Sequence, residues 1–175
     1  MTKLLGISGA LRAASTNTQL VHNAARIFNA DSFVLADLNL PLYDGDLEAE
    51  GIPASVQTLS DQIKEADAVI ISTPEYNKSI SGVLKNALDW VSRTEGSPWA
   101  DKPVAIMSSA AGRAGGERAQ FALRLCMMPF GTRLLQGPEV LIGSNFQEFD
   151  EQGNLTGERY IAVLTTLMEK LRAEI

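Results

Sequence analysis

The sequence contains almost none of the side chains that build metal centres and hydrolytic triads. Histidine occurs once, as His22, and cysteine occurs once, as Cys126. One histidine and one cysteine cannot supply the ligands of a zinc site, and a lone cysteine cannot form an internal disulfide. His22 falls in the middle of a helix-like segment with no partner for a Ser-His-Asp triad, so we assign it no chemistry. Cys126 lies among apolar residues, and we expect a buried, unreactive thiol.

Basic clusters and long apolar runs are missing as well. The 175 residues carry a net charge of −6, without the basic face that nucleic acid binding requires. Because the apolar runs are only a few residues long, the sequence predicts neither a membrane span nor a signal peptide, and we expect a cytoplasmic protein. The length and the 45% hydrophobic composition predict one domain covering residues 1–175.

What is present is a regular alternation of apolar strands and amphipathic helices. The clearest strand is Asp67–Thr73, which is almost uniformly apolar and β-branched, as in a parallel sheet covered on both faces. The polar segment 37–53 is predicted to be a long loop, a kind of connection that often carries function. The alternation predicts an α/β fold, a doubly wound sheet of five parallel strands with helices on both faces. The other strands are predicted at Lys3–Ser8, Ser32–Ala36, Val104–Met107 and residues 134–142, the last broken at Gly137-Pro138.

The first of three segments that follow predicted strands runs from Gly6 to Thr18 and contains small residues, hydroxyl groups and Arg12. A helix N-terminus offers unpaired N–H groups and a positive dipole end, so this first segment has the donors for a phosphate. It would equally serve as a glycine turn before a Ser-capped helix, and alone it does not decide between the two. The sequence patterns of nucleotide triphosphatases and of dinucleotide-binding Rossmann sites are both missing.

The second and third segments follow the two central strands. The second, Thr73 to Gly82, offers the flat ring of Tyr76 and the amide of Asn77, which suit a flat heterocycle. Its alternative role is a turn before a helix capped by Ser81. The third, Ser108 to Glu117, is poor in bulky side chains, so it would admit a ligand close to the backbone or form an ordinary surface turn. Because such sheets bind ligands at the carboxyl ends of their strands, the three segments together favour a flat, phosphorylated cofactor.

The motifs at these segments resemble those of the NAD(P)H-dependent FMN reductase family, most closely its quinone and chromate reductase branch. The specific match is Pro74-Glu75-Tyr76-Asn77, followed by Leu84-Lys85-Asn86-Ala87-Leu88-Asp89-Trp90. One position departs from the family pattern, because Ala10 stands where the family usually has serine. Order and spacing also fit at Gly9–Arg12, Pro41–Asp44, Lys102–Val104 and Gly115–Gln120.

This resemblance implies a flavodoxin-like fold that binds FMN non-covalently. No side chain is expected to be catalytic by itself, because the flavin performs the redox step. The resemblance implies that the FMN phosphate is held by Ser8, Arg12, Ser15, Thr16, Asn17 and Thr18. It implies that the isoalloxazine ring is lined by Pro74, Glu75, Tyr76 and Asn77 and bordered on its other edge by Ser108, Ser109, Ala110 and Gly112.

The activity implied by the resemblance is electron transfer from NADH or NADPH to a small acceptor such as a quinone, chromate, an azo compound or a ferric chelate. The two substrates would bind in turn, which gives ping-pong kinetics, and the protein would be a homodimer or homotetramer. Three alternatives stay open: a reductase that releases reduced FMN to a partner monooxygenase, a flavodoxin-type electron carrier that ignores nicotinamide, and a domain that has lost its cofactor.

Overall fold

The segments that the sequence marks as strands form one parallel sheet. A computed structural model describes all 175 residues. Every residue of β3 and β4 is buried, because helices cover both faces of the sheet. The strand order β2-β1-β3-β4-β5 is that of the flavodoxin-like doubly wound fold, which confirms the predicted fold class. The strands are β1 (Lys3–Ser8), β2 (Ser32–Leu35), β3 (Ala68–Thr73), β4 (Pro103–Ser109), β5 (Arg133–Leu134) and β6 (Val140–Ile142).

Two short strands share the outer position beside β4. β5 pairs in parallel with the start of β4, where Val104 lies opposite Leu134, and β6 pairs with its end, where Met107 lies opposite Val140. Between them, Pro138 has no N–H to donate to a strand ladder. The predicted interruption of the last strand at Gly137-Pro138 is therefore confirmed.

The helices lie in two layers, each over its own hydrophobic core. Side chains alternate between the two faces along each strand, so Leu4 joins one core and Leu5 the other. None of the helices combines the length and apolar character that crossing a membrane requires. One layer contains α1 (Thr16–Phe28) and α6 (Glu158–Arg172), and the other contains α3 (Ala54–Glu65), α4 (Gly82–Val91) and α5 (Glu117–Met127).

The structure corrects the expectation that Cys126 is buried. Cys126 is half-buried at the rim of the core, not buried, because α5 leaves the adjacent Leu125 and Met128 exposed to solvent. Trp90, in contrast, is fully buried. His22 is exposed on α1, with its ring 5.8 Å from that of Phe33 in an edge arrangement.

Segment 37–53 is not loop throughout, because it contains the short helix α2 (Gly45–Ala49). Asp44 caps this helix by accepting the N–H of Asp46 at 2.9 Å. The sequence prediction missed α2 because five residues are too few to show a helical period.

The segment that contains α2 is fastened to the outside of α4. The side chains of Asn86 and Trp90 both donate to the carbonyl of Pro41, at 2.9 and 2.8 Å. The amide oxygen of Asn86 also accepts the N–H of Tyr43 at 2.8 Å. Asn86 and Trp90 are four residues apart and therefore share one helix face. This contact gives the distant motifs Pro41–Asp44 and Leu84–Trp90 a common structural role.

An ionic contact completes this attachment. The Tyr43 hydroxyl donates to one oxygen of Glu48 at 2.7 Å, and Arg93 donates to the other at 2.8 Å. The hydrogen bond from Tyr43 lowers the pKa of Glu48 most, and that from Arg93 lowers it further. The hydrogen bond to Glu48 in turn raises the pKa of Tyr43. Because a lowered carboxyl pKa stabilises the fold above the unfolded-state pKa, this contribution is complete at neutral pH and is lost on acidification.

Candidate functional site

The three predicted segments meet at the carboxyl edge of the sheet. They follow β1, β3 and β4, which are neighbours in the strand order. The chain leaves β1 toward β2 on one side and later returns to place β3 on the other side. In doubly wound sheets such a switch point opens a crevice between neighbouring loops, and this is where ligands bind.

The first segment presents a row of unpaired backbone donors. The N–H groups of Ala10 through Ala14 donate to no protein acceptor, whereas the flanking N–H of Gly9 donates to the Ser72 carbonyl at 2.8 Å. Ser15 caps α1 by accepting the N–H of Asn17 at 3.2 Å. Arg12 is exposed and forms no ion pair. Free amides, a free guanidinium and a helix N-terminus together form an anion-binding surface.

Two pairs of hydroxyl groups hold this segment in place by hydrogen bonds. Ser8 and Thr18 share a hydrogen bond of 2.7 Å between their hydroxyl oxygens. Thr16 accepts hydrogen bonds from the hydroxyl of Ser109 at 3.0 Å and from the amide of Asn145 at 2.8 Å. These residues lie together as the sequence predicts, but their hydroxyls already have protein partners.

The side chain of Asn17 joins the start of α1 to the two central strands. Its side chain is 3% exposed. Its amide oxygen accepts from the Ser72 hydroxyl at 2.8 Å and from the Ser109 N–H at 3.0 Å, and its amide nitrogen donates to the Ser109 carbonyl at 2.9 Å. The side chain of Asn17 therefore anchors α1 to β3 and β4, and a contact between Asn17 and the phosphate stays a prediction.

The second segment ends in a tight turn that displays an aromatic ring. Tyr76 and Ser79 exchange two backbone hydrogen bonds of 3.0 and 3.1 Å. Asn77 and Lys78 between them both have positive φ, 50° and 66°, as the two central residues of a type I′ turn do. The Tyr76 side chain is 57% exposed. Ser81 caps α4 by accepting the N–H of Leu84 at 3.3 Å. The capping role of Ser81 is therefore present, and it is compatible with ligand binding by the turn.

Pro74 and Glu75 differ from the exposed turn that follows them. Pro74 is buried and packs near Gly9, where an added Cβ would lie 3.2 Å from the proline Cδ. The Glu75 carboxylate accepts the N–H groups of Arg118 and Ala119 at the start of α5, at 3.0 and 3.3 Å. The side chain of Glu75 is therefore engaged by the protein, and its place beside the flavin ring stays a prediction.

The third segment begins with two buried serines. Ser108 and Ser109 are 0% and 1% exposed, and the Ser108 hydroxyl donates to the Gly115 carbonyl at 2.6 Å. The buried side chains of both serines therefore hold the segment in place, and a contact between this part of the segment and the flavin ring stays a prediction. Ala110 and Gly112 lie nearer the surface, and Gly112 has no atom within 4 Å of an added Cβ.

Sequence reasoning assigned no role to two residues that organise this edge. Asn145, which follows β6, joins Thr16 to Ser109 by donating to both hydroxyls. Gln120 on α5 is 1% exposed and donates to the Ser108 hydroxyl at 2.9 Å and to the Val140 carbonyl at 2.8 Å. Neither residue stands in a pattern that indicates its partner, because each bond joins positions distant in the chain.

A cavity of about 300 Å³ opens beside the first segment, between it and the end of β2. Asp37 and Leu38 line its far wall, and Ser8, Leu11 and Arg12 line its near wall. A cavity of about 740 Å³ lies at the β5 edge, between residues 133–138 and the end of α6. The three segments do not line that larger cavity, so cavity volume alone does not identify the functional edge.

Known proteins match this chain over nearly its whole length. The family model described as NADPH-dependent FMN reductase matches residues 2–147. The chain belongs to this family. An NAD(P)H-dependent FMN reductase of Pseudomonas aeruginosa is 41% identical over 172 residues, which are 97% of this chain and 93% of that protein. A quinone reductase of Escherichia coli K12 is 39% identical over 160 residues, 89% of this chain and 84% of that protein.

Solved structures agree with this membership in the FMN reductase family. FerB of Paracoccus denitrificans, described as a flavoenzyme NAD(P)H:(acceptor) oxidoreductase, superposes with a TM-score of 0.88 at 31% identity. The match covers 99% of this chain and 96% of that chain. The family resemblance that the motifs indicate is therefore confirmed.

Replacing Asn17 tests its role as an anchor. Asn17→Ala leaves the buried Ser72 hydroxyl and the Ser109 N–H and carbonyl without partners, so we expect the free energy of unfolding to fall by roughly 3 kcal/mol in urea titrations. Asn39→Ala is the control, because Asn39 is exposed and its side chain forms no hydrogen bond, and it should change stability by less than about 0.5 kcal/mol. Weakened FMN binding with unchanged stability in Asn17→Ala would instead assign Asn17 to the ligand contacts.

Proposed function

We propose that this protein is an FMN-dependent oxidoreductase that takes electrons from NADH or NADPH and passes them to a small acceptor such as a quinone. One observation carries the proposal: a member of the FMN reductase family has five consecutive unpaired N–H groups, Ala10–Ala14, before a helix N-terminus. FMN, when bound, supplies the redox chemistry, and the protein supplies binding and orientation.

The donor set of the first segment fits the phosphate of FMN. The free N–H groups and the unpaired guanidinium of Arg12 would donate charge-assisted hydrogen bonds to a dianion. Ala10 stands where the family usually has serine, and its backbone N–H is the same donor that a serine would offer. The replacement therefore removes one side-chain hydroxyl only. Ser15, Thr16 and Thr18 would support the phosphate through the cap and the hydroxyl pairs, and Ser8 through its bond to Thr18.

The second and third segments suit a flat ring. The exposed Tyr76 and the backbone of Pro74–Asn77 would line one side, and Ala110 and Gly112 the other. At Gly112 the absence of a side chain admits a ring edge close to the backbone. The three segments contain neither histidine nor cysteine, so their residues would bind and orient the cofactor and substrates, and none would act as a nucleophile.

The exposure of this edge supports alternating use by two substrates. Tyr76, Asn77 and Gly112 are all exposed, so nicotinamide and acceptor would occupy the same open side in turn, with ping-pong kinetics. An open side also suits acceptors of different shape, including quinones, chromate, azo compounds and ferric chelates. The quinone reductase of Escherichia coli and the FMN reductase of Pseudomonas aeruginosa support this activity.

The protein would act as a homodimer or homotetramer. Phe121, Leu125 and Met128 form an exposed apolar row on and beside α5, with exposures of 58%, 68% and 74%. Such rows are common at contacts between subunits. The cytoplasmic location stays a prediction of the sequence.

Spectroscopy of the purified protein tests the function. FMN is added, free flavin is removed by desalting, and the visible spectrum is recorded before and after anaerobic addition of NADH or NADPH and then of a quinone. We expect retained flavin that bleaches with nicotinamide and recovers with quinone. Retained flavin that stays oxidised would assign an electron carrier. Nicotinamide oxidation only with added free FMN would assign a flavin-releasing reductase, and no response at all would assign a domain without cofactor.

Arg12→Ala tests the position of the phosphate. Loss of a charge-assisted hydrogen bond should weaken FMN binding by about tenfold or more, measured by fluorescence titration. Riboflavin lacks the phosphate, so its affinity should be the same in the variant and the wild type. Lys64→Ala is the matched control, because it removes one exposed positive charge near the C-terminus of α3, at the opposite edge of the sheet. An equal loss for riboflavin and FMN would show that Arg12 does not contact the phosphate.

A further inference from the structure

Glu75 differs from the turn that it precedes, because its side chain points into the protein. Tyr76, Asn77, Lys78 and Ser79 are all exposed, whereas the side chain of Glu75 is 18% exposed. Oxygen Oε2 accepts the N–H groups of Arg118 at 3.0 Å and Ala119 at 3.3 Å. The carboxylate thus caps a helix that begins 42 residues further along the chain, at Glu117.

Helix α5 depends on this distant cap because it has none of its own. Its N-cap is Gly116, which has φ of 89° and no side chain to accept a hydrogen bond. A Cβ at Gly116 would lie 2.8 Å from the Cβ of Ser108, so a capping side chain cannot be placed there without moving the buried serine. The first N–H groups of a helix need an acceptor, and Glu75 provides it.

The cap joins two of the three segments that form the proposed flavin site. Glu75 belongs to the second segment after β3, while Gly116 lies near the end of the third segment after β4. The turn at Tyr76 is closed by its own pair of hydrogen bonds to Ser79, so it forms one local unit. Glu75 is the residue immediately before that unit, and its bonds to α5 fix the unit relative to the third segment.

The charge of Glu75 is compensated where it lies. The N-terminus of α5 presents a partial positive charge to the carboxylate, and Arg118 Nη1 is 3.9 Å from Oε1. The carboxylate is therefore suited to holding two protein elements together, and a ligand would meet little of its charge.

We propose that Glu75 is a positioning residue: by capping α5 from the neighbouring strand, it holds the Tyr76 turn and the third segment at the spacing that a flat cofactor requires. The proposal rests on the proposed function, because the spacing matters only if the ring lies between the two segments. Length and acceptor capacity of the side chain should matter, and its charge should not.

Three substitutions separate length from charge. Glu75→Gln keeps the length and an acceptor oxygen but removes the charge, Glu75→Asp keeps the charge but is one methylene shorter, and Glu75→Ala removes both. Glu158→Ala is the matched control, because Glu158 is an exposed acid in the first turn of α6, lies outside the three segments and forms no hydrogen bond with its side chain. Each variant is titrated with FMN, and the amide hydrogen exchange of Arg118 and Ala119 is measured without cofactor.

We expect Glu75→Asp and Glu75→Ala to bind FMN about tenfold more weakly and to exchange these two amides faster, as loss of a helix cap predicts. Glu75→Gln should bind within about threefold of the wild type, and Glu158→Ala should bind as the wild type does. If Glu75→Gln binds as poorly as Glu75→Ala, the carboxylate acts through its charge and the proposal is wrong.

Two further results would also overturn the proposal. One is faster exchange in Glu75→Ala with unchanged FMN affinity, which would make the cap purely structural. The other is unchanged exchange in Glu75→Ala, because the cap itself would then not exist in solution. If the wild type binds no FMN, the proposed function fails by itself, and the exchange data still show whether Glu75 joins the two elements. Should Glu75→Ala not fold, the comparison of Glu75→Gln with Glu75→Asp decides.

Discussion

The buried amide of Asn17 is the contact on which the functional edge depends. It binds the hydroxyl of Ser72 and both backbone groups of Ser109, so one side chain fixes the start of α1 against the ends of β3 and β4. A buried amide with several partners is costly to disturb, because each partner would lose its hydrogen bond without access to water. With α1 fixed, the N–H groups of the preceding loop stay turned to the surface.

At three helix ends, a charged side chain from another element forms hydrogen bonds with backbone groups of the last or first turn. Glu75 caps the N-terminus of α5. Lys102, at the start of β4, donates to the carbonyls of Lys64 and Ala66 at the end of α3, and burial lowers its pKa. Arg172 of α6 donates to the carbonyls of Phe28 and Asn29 at the C-terminus of α1. Cations at helix C-termini and an anion at an N-terminus both follow the direction of the helix dipole.

The fold could be predicted from the sequence because its signals are local. The uniformly apolar β3 and the four-residue spacing of Leu20, Ala24 and Phe28 show their structure within a few residues. The same topology brings the three predicted segments to one edge of the sheet, and the cap at Ser81 followed from its own neighbours. The roles of Asn17, Glu75 and Ser108 could not be predicted, because their hydrogen-bond partners are distant in the sequence. The sequence alone also does not show whether a polar side chain in a binding loop faces the ligand or the protein.

Mapping the backbone amide resonances of the protein during addition of FMN tests most directly the claim that the carboxyl edge at β1 and β3 holds the flavin. The account predicts that the resonances of Ala10–Ala14 shift most, because their N–H groups are unpaired, together with those of Tyr76, Asn77 and Gly112. The resonances of residues 133–138 at the β5 edge should stay unchanged. Shifts confined to residues 133–138, with none at Ala10–Ala14, would contradict it.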